Sequence, residues 1–380
     1  MQHLELNSAS IEKAVAAWAL SRPGEGMLVL LPEAGTSLVP QLQALCRQHH
    51  IALCGGIFPA IVSAGDFVSD SGWILPLPAH SAIFLVDALA DAPAPAVDQL
   101  FGQIRDHLQA LPVSDVKPVL MLLFDGLLPN VTSLLDRLYL KLANRVVYVG
   151  ANAGNERFEV APCLFDGERL LSGGMLALVL QEQAAPALGH GYVAPENALS
   201  ATSTAGNRIA SIDWRPAFEV YGELVSREYG VALTAENFYQ YGVHFPFGIL
   251  QANGDIVLRI PVGLTEDGAL LCVGEVPENS LLVVVRAPQA DVNGCVSQLA
   301  DDLYRQEGSV LGRNLLLFYC AGRRMHLGLS ARDELSALAA KTEAACIGGA
   351  LSIGEIGSLR RGGYPMFHNA SLVAMPWASS

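Results

Sequence analysis

The 380-residue sequence lacks long apolar runs, and this argues against a membrane protein. Its apolar runs, such as those at 27–32 and 281–285, are far shorter than the roughly 18 to 20 residues that span a bilayer. The first residues, MQHLELNSASIEK, have neither the basic start nor the apolar stretch of a secretory signal. We therefore expect a cytoplasmic protein without membrane insertion.

The sequence also lacks the usual motifs of metal sites. No CxxC or HExxH pattern is present, which argues against cysteine-rich zinc, iron–sulfur and hydrolytic zinc sites. The cysteines are odd in number and widely spread, as is typical of reduced core thiols rather than of a disulfide framework. They are Cys46, Cys54, Cys163, Cys272, Cys295, Cys320 and Cys346.

Basic residues are fewer than acidic ones. The sequence has 23 Lys and Arg and 37 Asp and Glu, which gives a formal net charge of −14. Binding to nucleic acid needs clustered cations that neutralise phosphates, so we expect no nucleic-acid partner. The hydrophobic content of 51% predicts a large buried core.

The order of patterns along the chain predicts a two-part protein of class α/β to α+β. In the first part, 1–188, helix-like segments alternate with short apolar runs, so we expect mixed sheets flanked by helices. In the second part, 189–380, turn signals such as Asn253-Gly254 and Asp267-Gly268 predict an antiparallel meander. The connection is expected at 184–192 and a later helix at 292–305, and no short-period repeat is visible.

The ends of three predicted strands carry candidate functional residues. Cys54 precedes two glycines, where a thiol nucleophile would be exposed, although a core cysteine before a tight turn has the same pattern. Asp125 ends an apolar run, either as a functional carboxylate or as a turn residue that accepts backbone N–H bonds. The glycines at 150–154 follow a strand but lack the spacing of a phosphate loop.

Two histidines lie in settings that suit a planar cofactor, because haem needs only one axial histidine in an apolar pocket. His190 is flanked by glycines that permit close approach, and Tyr192 can pack beside it. His244 lies in the aromatic segment VHFPF. Both histidines are equally typical of a buried, hydrogen-bonded side chain.

Several segments together resemble the FIST family, whose N- and C-terminal parts would occupy nearly the whole chain. The C-terminal segments FYCAGR at 318–323, GALSIGEI at 349–356 and FHN at 367–369 are similar to the family's FxCxxR, GxxxxGEI and HN elements. The remaining segments are CGGIFP at 54–59, FDG at 124–126, GANAG at 150–154, PCLF at 162–165, GHGY at 189–192 and TSTAGN at 202–207. The sequence departs from the family pattern at 150–154, where a longer glycine run is expected.

The resemblance implies a sensor of small ligands rather than an enzyme. Some stand-alone bacterial members are similar to haem-binding nitric-oxide sensors that act on a histidine kinase. Because these 380 residues contain no kinase, cyclase or receptor domain, we expect the signal to pass to a separate partner protein. His368 belongs to a family-wide element and is interpreted as structural, which leaves His190 as the candidate axial ligand of haem. Arg323 and Glu355 are expected to form either a structural ion pair or a polar clamp for a ligand.

Two alternatives to haem remain open. The first is a sensor of an amino acid or a similar metabolite, bound without haem through polar groups such as Arg323 and Glu355. The second is a thiol-dependent enzyme with Cys54 as its nucleophile.

Overall fold

The computed structural model describes residues 1–87, 89, 93–112, 114–181, 185–286 and 294–377. Helices and mixed sheets alternate through the first half, and an antiparallel sheet lies in the second, so the predicted fold class is confirmed. No helix in these ranges is both long and apolar enough to cross a membrane.

The elements group into three units, of which the first two have matching order. Unit 1 covers residues 2–76 and contains β1 (Gln2–Glu5), α1 (Ser8–Ser21), β2 (Met27–Pro32), α2 (Val39–Gln48), β3 (Leu53–Phe58), β4 (Ile61–Ser63), β5 (Asp66–Val68) and β6 (Ser71–Pro76). Unit 2 covers residues 82–180 and contains β7 (Ala82–Val86), α3 (Pro93–Ala110), β8 (Val119–Asp125), α4 (Val131–Leu142), β9 (Val147–Ala153), β10 (Leu164–Asp166), β11 (Leu170–Leu171) and β12 (Met175–Leu180).

Unit 3 repeats this order but is interrupted after its first strand, β13 (Ala187–Gly189). The interrupting segment, called the insertion below, contains β14 (Leu199–Ala205), β15 (Arg208–Ile212), β16 (Arg215–Pro216), α5 (Ala217–Tyr229), α6 (Phe238–Gly242), β17 (Phe247–Leu250), β18 (Ile256–Arg259), β19 (Pro261–Leu264), β20 (Leu270–Cys272) and β21 (Leu281–Val284). Unit 3 then resumes with α7 (Cys295–Glu307), β22 (Asn314–Cys320), α8 (Ala321–Leu327), α9 (Ser330–Thr342), β23 (Cys346–Ser352), β24 (Glu355–Gly357), β25 (Met366–His368) and β26 (Leu372–Trp377).

The sheets of the three units have one topology. Their strand orders are β1-β6-β2-β3-β10-β11, β7-β12-β8-β9-β24-β25 and β13-β26-β22-β23-β4-β5. Each has a central parallel pair, flanked by an antiparallel strand of its own unit and by a hairpin from another unit. Unit 1 gives its hairpin to unit 3, unit 2 to unit 1, and unit 3 to unit 2. The three units therefore exchange hairpins in a closed cycle.

The central strands are apolar on both faces because both faces are covered. In β8, Met121 and Leu123 face the core shared by the three sheets, whereas Leu120 and Leu122 lie beneath α3 and α4. This alternation is expected for a strand buried on both sides.

Glycines occupy matching places in the second strand of each parallel pair. A Cβ on Gly150 would lie 1.9 Å from the carbonyl oxygen of Leu122, and one on Gly349 would lie 1.8 Å from that of Leu317. Gly55 is similarly close, at 2.1 Å, to a carbonyl of the neighbouring strand. No other residue type leaves room for the adjacent backbone at these positions.

The insertion forms an antiparallel sheet in the order β18-β17-β21-β14-β15-β20-β19, with α5 and α6 packed against it. All its strand pairs are antiparallel, as predicted, but the strand order is not sequential, so the prediction of a simple meander is wrong. The predicted helix at 292–305 corresponds to α7, and its first two residues lie outside the described ranges. Residue 184 of the predicted connection also lies outside them, and the boundary at 188/189 stays a prediction.

The second strands of the three parallel pairs converge, so that one unit hydrogen-bonds to the next. The Gly154 N–H donates to the Ile57 carbonyl at 2.8 Å, and the Ile353 N–H donates to the Asn152 carbonyl at 3.0 Å. The carboxyl ends of the parallel strands consequently lie near the centre of the molecule, where such sheets usually bind ligands.

Candidate functional site

The first strands of the three parallel pairs end differently. In unit 1, Pro32 leads directly into a short 3-10 helix, Glu33–Leu38. In unit 2, the Asp125 carboxylate accepts hydrogen bonds from the Leu127 N–H at 2.9 Å and the Gly173 N–H at 2.6 Å, as a turn residue does. In unit 3, Cys320 lines a cavity beneath the insertion. The three equivalent strand ends therefore have different surroundings, and the end in unit 3 lies at a cavity.

A second, larger cavity of about 740 Å³ contains the predicted residues His190 and Tyr192. We call it the His190 cleft. Its walls come from β13 and the following loop, from the turn before β18, from α7 and from the loop between β24 and β25. The charged residues that line it are Arg305, Arg360, Arg361, Asp255 and Asp302.

The charges of the cleft are partly paired. An Arg360 Nη2–Asp255 Oδ1 contact of 2.9 Å joins the loop after β24 to the insertion, and Arg305 pairs with Asp302 at 2.6 Å on α7. Arg361 forms no ion pair with any residue of the described ranges. The cleft thus carries both positive and negative side chains, and Arg361 is a positive one without an ion-pair partner among the described residues.

His190 is buried, with 7% of its surface exposed, and its ring is already hydrogen-bonded. Nδ1 accepts from the Tyr192 N–H at 3.0 Å. Burial and, to a smaller extent, the positive charge of Arg323 lower the pKa of His190 to about 4. The ring centroids of His190 and Tyr192 are 5.8 Å apart, so their predicted packing is confirmed.

His368 lies behind His190, with the two ring centroids 6.4 Å apart. It is fully buried, and burial lowers its pKa far below the usual range. Neither of its ring nitrogens has a hydrogen-bond partner within the described part of the chain. A buried imidazole of this kind is neutral and adds no charge to the cleft.

The expected ion pair between Arg323 and Glu355 is wrong. Arg323 pairs with Glu334 of α9 instead, through Nη2–Oε1 at 2.6 Å and Nε–Oε2 at 2.8 Å. It also donates to the carbonyls of His190 and Ala370, and both members of the pair are at most 2% exposed. Because this geometry is bidentate and every acceptor is internal, Arg323 holds β13 and the end of β25 to the core.

Glu355 has different partners and a different charge state. Its carboxyl accepts from the Ser352 hydroxyl at 2.5 Å and from the Ser371 hydroxyl at 2.6 Å. Burial raises the pKa of Glu355 to about 8, although these hydrogen bonds oppose the shift. Neither Glu355 nor Arg323 lines the His190 cleft, and neither presents a free charge to it.

Replacing Glu355 by glutamine is expected to change how stability depends on pH. The pKa of Glu355 in the folded protein lies above its ordinary value of 4.5. The neutral carboxyl therefore contributes its full stabilisation of the fold below about pH 4.5. This contribution is lost as the pH rises towards about 8, whereas the amide of Glu355→Gln does not titrate. Urea denaturation at about pH 5 and about pH 8 should show wild type losing stability relative to the variant. A pH-independent difference would contradict this assignment.

His244 and Cys54 lie away from the cleft. His244 is half-buried, and its Nδ1 contacts Nδ1 of His326 on α8, which joins the insertion to the core. Cys54 is fully buried, and burial raises the pKa of its thiol far above the usual range. A thiol nucleophile needs exposure and a lowered pKa, so the surroundings of Cys54 offer no support for that role.

Comparison with known families matches two adjoining regions of the chain. The FIST N domain matches residues 28–215, and the FIST C domain matches residues 217–358. The chain belongs to the FIST family. FIST domains are associated with signal transduction through the sensing of small ligands. Comparison with curated proteins gives no match.

Among the FIST motifs, the GHGY segment at 189–192 lines the cleft, whereas the FHN and GEI segments hold its surroundings together. In the FHN segment, Phe367 packs under the guanidinium of Arg259, and the Asn369 side chain accepts from the Ile260 N–H at 3.0 Å. In the GEI segment, Glu355 ties β24 to the start of β26 through Ser371. Glu334 was not predicted from the sequence, because it lies in a helix outside the motifs and is recognised only through its contact with Arg323.

Proposed function

We propose that this FIST protein senses a small zwitterionic or anionic metabolite, such as an amino acid, in the His190 cleft. The observation that carries the proposal is the coexistence of uncommitted Arg361 with the acidic side chains Asp255 and Asp302 around one cavity. A volume of about 740 Å³ lies within the roughly 300 to 1,000 Å³ of ordinary ligand sites.

The chemistry of the walls favours a ligand that carries both charges. Arg361 offers a planar fork of donors to a carboxylate, and Asp302 offers an acceptor to an ammonium group. Neutral His190 closes the inner wall without adding charge. A purely apolar ligand would remove these charged groups from water and leave Arg361 without a partner, which is costly.

The position of the cleft supports a sensing role. Asp255 belongs to the insertion, whereas Arg360 belongs to the loop after β24, and their ion pair crosses the cleft wall. A ligand that competes for either partner favours a different arrangement of insertion and core. Unequal affinity for two arrangements is what a ligand needs in order to shift a conformational equilibrium.

Thermal denaturation in the presence of single L-amino acids and small dicarboxylates tests the proposal. A ligand at 100 times its dissociation constant should stabilise the protein by about 2.7 kcal/mol. Arg361→Ala should weaken binding at least about tenfold, a loss of about 1.4 kcal/mol. Arg227→Ala, which removes an exposed arginine of α5, is the matched control and should bind as wild type. Absence of any stabilising compound, or unchanged binding by Arg361→Ala, would contradict the proposal.

Haem-dependent sensing of nitric oxide is the second candidate, and the position of His190 on the wall of a large cavity favours it. Haem would supply an iron centre that binds diatomic gases. Because Nδ1 of His190 accepts from the Tyr192 N–H, the proton of the neutral ring lies on Nε2, so the ring does not fit an axial ligand as it stands. A haemin titration that produces a saturable Soret band in wild type but not in His190→Ala would decide in favour of haem.

In both candidates the signal passes to a separate protein in the cytoplasm. A histidine kinase is the partner class that we propose. The acidic surface implied by the net charge of −14 favours a partner face with basic residues.

A further inference from the structure

An apolar cavity separate from the His190 cleft lies at the carboxyl end of β22, between unit 3 and the insertion. Its enclosed volume is about 50 Å³. From the core it is lined by Cys320, Gly322 and Ile353, and from the insertion by Val243, Ile260 and Val262. It shares no lining residue with the His190 cleft.

The mouth of this cavity is formed by large apolar side chains that remain in contact with solvent. Tyr239 is 52% exposed and Met325 is 48% exposed, although both line the cavity. Phe158 completes the mouth from the loop after β9. Aromatic and methionine side chains with exposed surface around a pocket are typical of binding sites.

The Phe158 loop is held in an unfavourable conformation. Phe158 has φ +53°, in the left-handed region that bulky residues rarely adopt. The Asn155 side chain fixes the loop by donating to the Glu159 carbonyl at 2.7 Å and accepting from the Glu159 N–H at 3.0 Å. Backbone strain that is held by its surroundings often marks a ligand-contacting position.

The two polar side chains at the inner wall already have internal partners. The Asn369 side chain accepts from Ile260 N–H and donates to the His368 carbonyl, and the Cys320 sulfur accepts from Ala370 N–H at 3.0 Å. Burial also raises the pKa of the Cys320 thiol, which keeps it neutral. Such a wall offers little to water or to a charged group, and apolar cavities of this type bind apolar molecules.

We propose that this cavity binds the apolar end of a small molecule, a single ring or the end of a short alkyl chain. The enclosed part admits only a few carbon atoms, so the rest of the molecule lies against Phe158, Tyr239 and Met325 at the mouth. This site is independent of the His190 cleft, and the two ligand classes differ in polarity.

Binding here stabilises the contact between the insertion and the core, because the two halves of the cavity come from these two parts. Two further contacts near the rim join neighbouring parts of the chain. His244 of the insertion contacts His326 of α8, and Arg324 of α8 pairs with Glu156 of the Phe158 loop at 3.1 Å. An occupied cavity therefore favours the arrangement in which α8, the insertion and the Phe158 loop are together.

Nuclear magnetic resonance of the full chain with ¹³C-labelled methionine methyl groups tests the site, with indole and 1-hexanol as probes. The Met325 methyl signal, assigned through Met325→Leu, should shift saturably with either probe. The signal of Met27, which is fully buried in the central core, is the internal reference and should not move. Absence of a saturable Met325 shift with both probes, up to their solubility limits, would overturn the proposal.

Cavity-filling variants test the location. Val262→Phe adds a ring inside the cavity and should weaken probe binding at least about tenfold, the effect of losing most of a small apolar contact area. Leu329→Phe makes a similar addition at a position that is 81% exposed and should bind as wild type. Should Val262→Phe fail to fold, Tyr239→Ala removes a wall of the mouth and must also weaken binding. Unchanged affinity in the folded variant would overturn the assignment.

Discussion

Arg323→Ala is expected to destabilise the protein by about 3 to 5 kcal/mol, because the Glu334 carboxylate would remain buried without its counter-ion. The Tyr319 hydroxyl donates to the same carboxylate at 2.6 Å but carries no compensating charge. The carbonyls of His190 and Ala370 would lose a donor as well. The free energy of unfolding from urea denaturation measures the effect directly.

Arg332→Ala is the matched control for this prediction. Arg332 lies in α9, as Glu334 does, and its Nε is 2.7 Å from Asp66 Oδ1, but the two side chains are 55% and 40% exposed. An exposed ion pair contributes at most about 1 kcal/mol, so Arg332→Ala should be nearly neutral. Similar losses in the two variants would show that the Arg323 pair is not the buried anchor that its geometry indicates.

Gly349→Ala is expected to be the most disruptive single-methyl change in the core. The added Cβ would lie 1.8 Å from the carbonyl oxygen of Leu317, and that atom belongs to the backbone of β22, which cannot rotate away. The parallel pair must separate locally, so we expect a loss above about 3 kcal/mol, beyond the usual range for overpacking. Chemical denaturation and the yield of folded protein report the outcome.

Gly222→Ala adds the same methyl group where there is space. Gly222 lies within α5, and no atom outside its own helix approaches the position of the added Cβ. Alanine is the better helix former, so this variant should gain up to about 1 kcal/mol. The free energy of unfolding should therefore fall in Gly349→Ala and rise in Gly222→Ala. A small loss in Gly349→Ala would contradict the prediction and would mean that β22 and β23 tolerate a wider spacing.

The strands of the core could be predicted from the sequence because burial on both faces leaves continuous apolar runs. The runs that became β2, β8 and β22 are of this kind, and the structure places all three at the centres of their sheets. The exchange of hairpins could not be predicted. A strand of three residues such as β4 carries no periodicity, and its partner is chosen by tertiary packing alone.

The repetition of one topology in the three units could not be recognised in the sequence for a related reason. Equivalent strand ends carry Pro32, Asp125 and Cys320, which share no chemistry, and the insertion separates β13 from the rest of unit 3. Glycines such as Gly150 and Gly349 recur for a structural reason, because a neighbouring carbonyl oxygen leaves no room for a Cβ atom at these positions. One such glycine in each unit, at Gly55, Gly150 and Gly349, is too little to reveal a repeat in the sequence.

The site was predictable only where its residues are neighbours in sequence. His190 and Tyr192 lie two residues apart and pack together as expected. The ion pair of Arg323 with Glu355, one of the two alternatives left open by the sequence, was wrong because the partner of Arg323 depends on how α9 packs against β22. The apolar cavity draws on several separate segments, and no local pattern marks such a convergence.

The cyclic exchange of hairpins has a consequence for synthesis on the ribosome. Ile61 of β4 pairs with Ala350 of β23, which is synthesised about 290 residues later. At roughly 5 to 20 residues per second, the unit 1 hairpin waits for tens of seconds with an unpaired edge. Contacts of such long sequence separation slow folding, and open edges invite pairing with other chains. We therefore expect the nascent chain to pair with other chains more readily than the folded protein, in which β23 covers this edge.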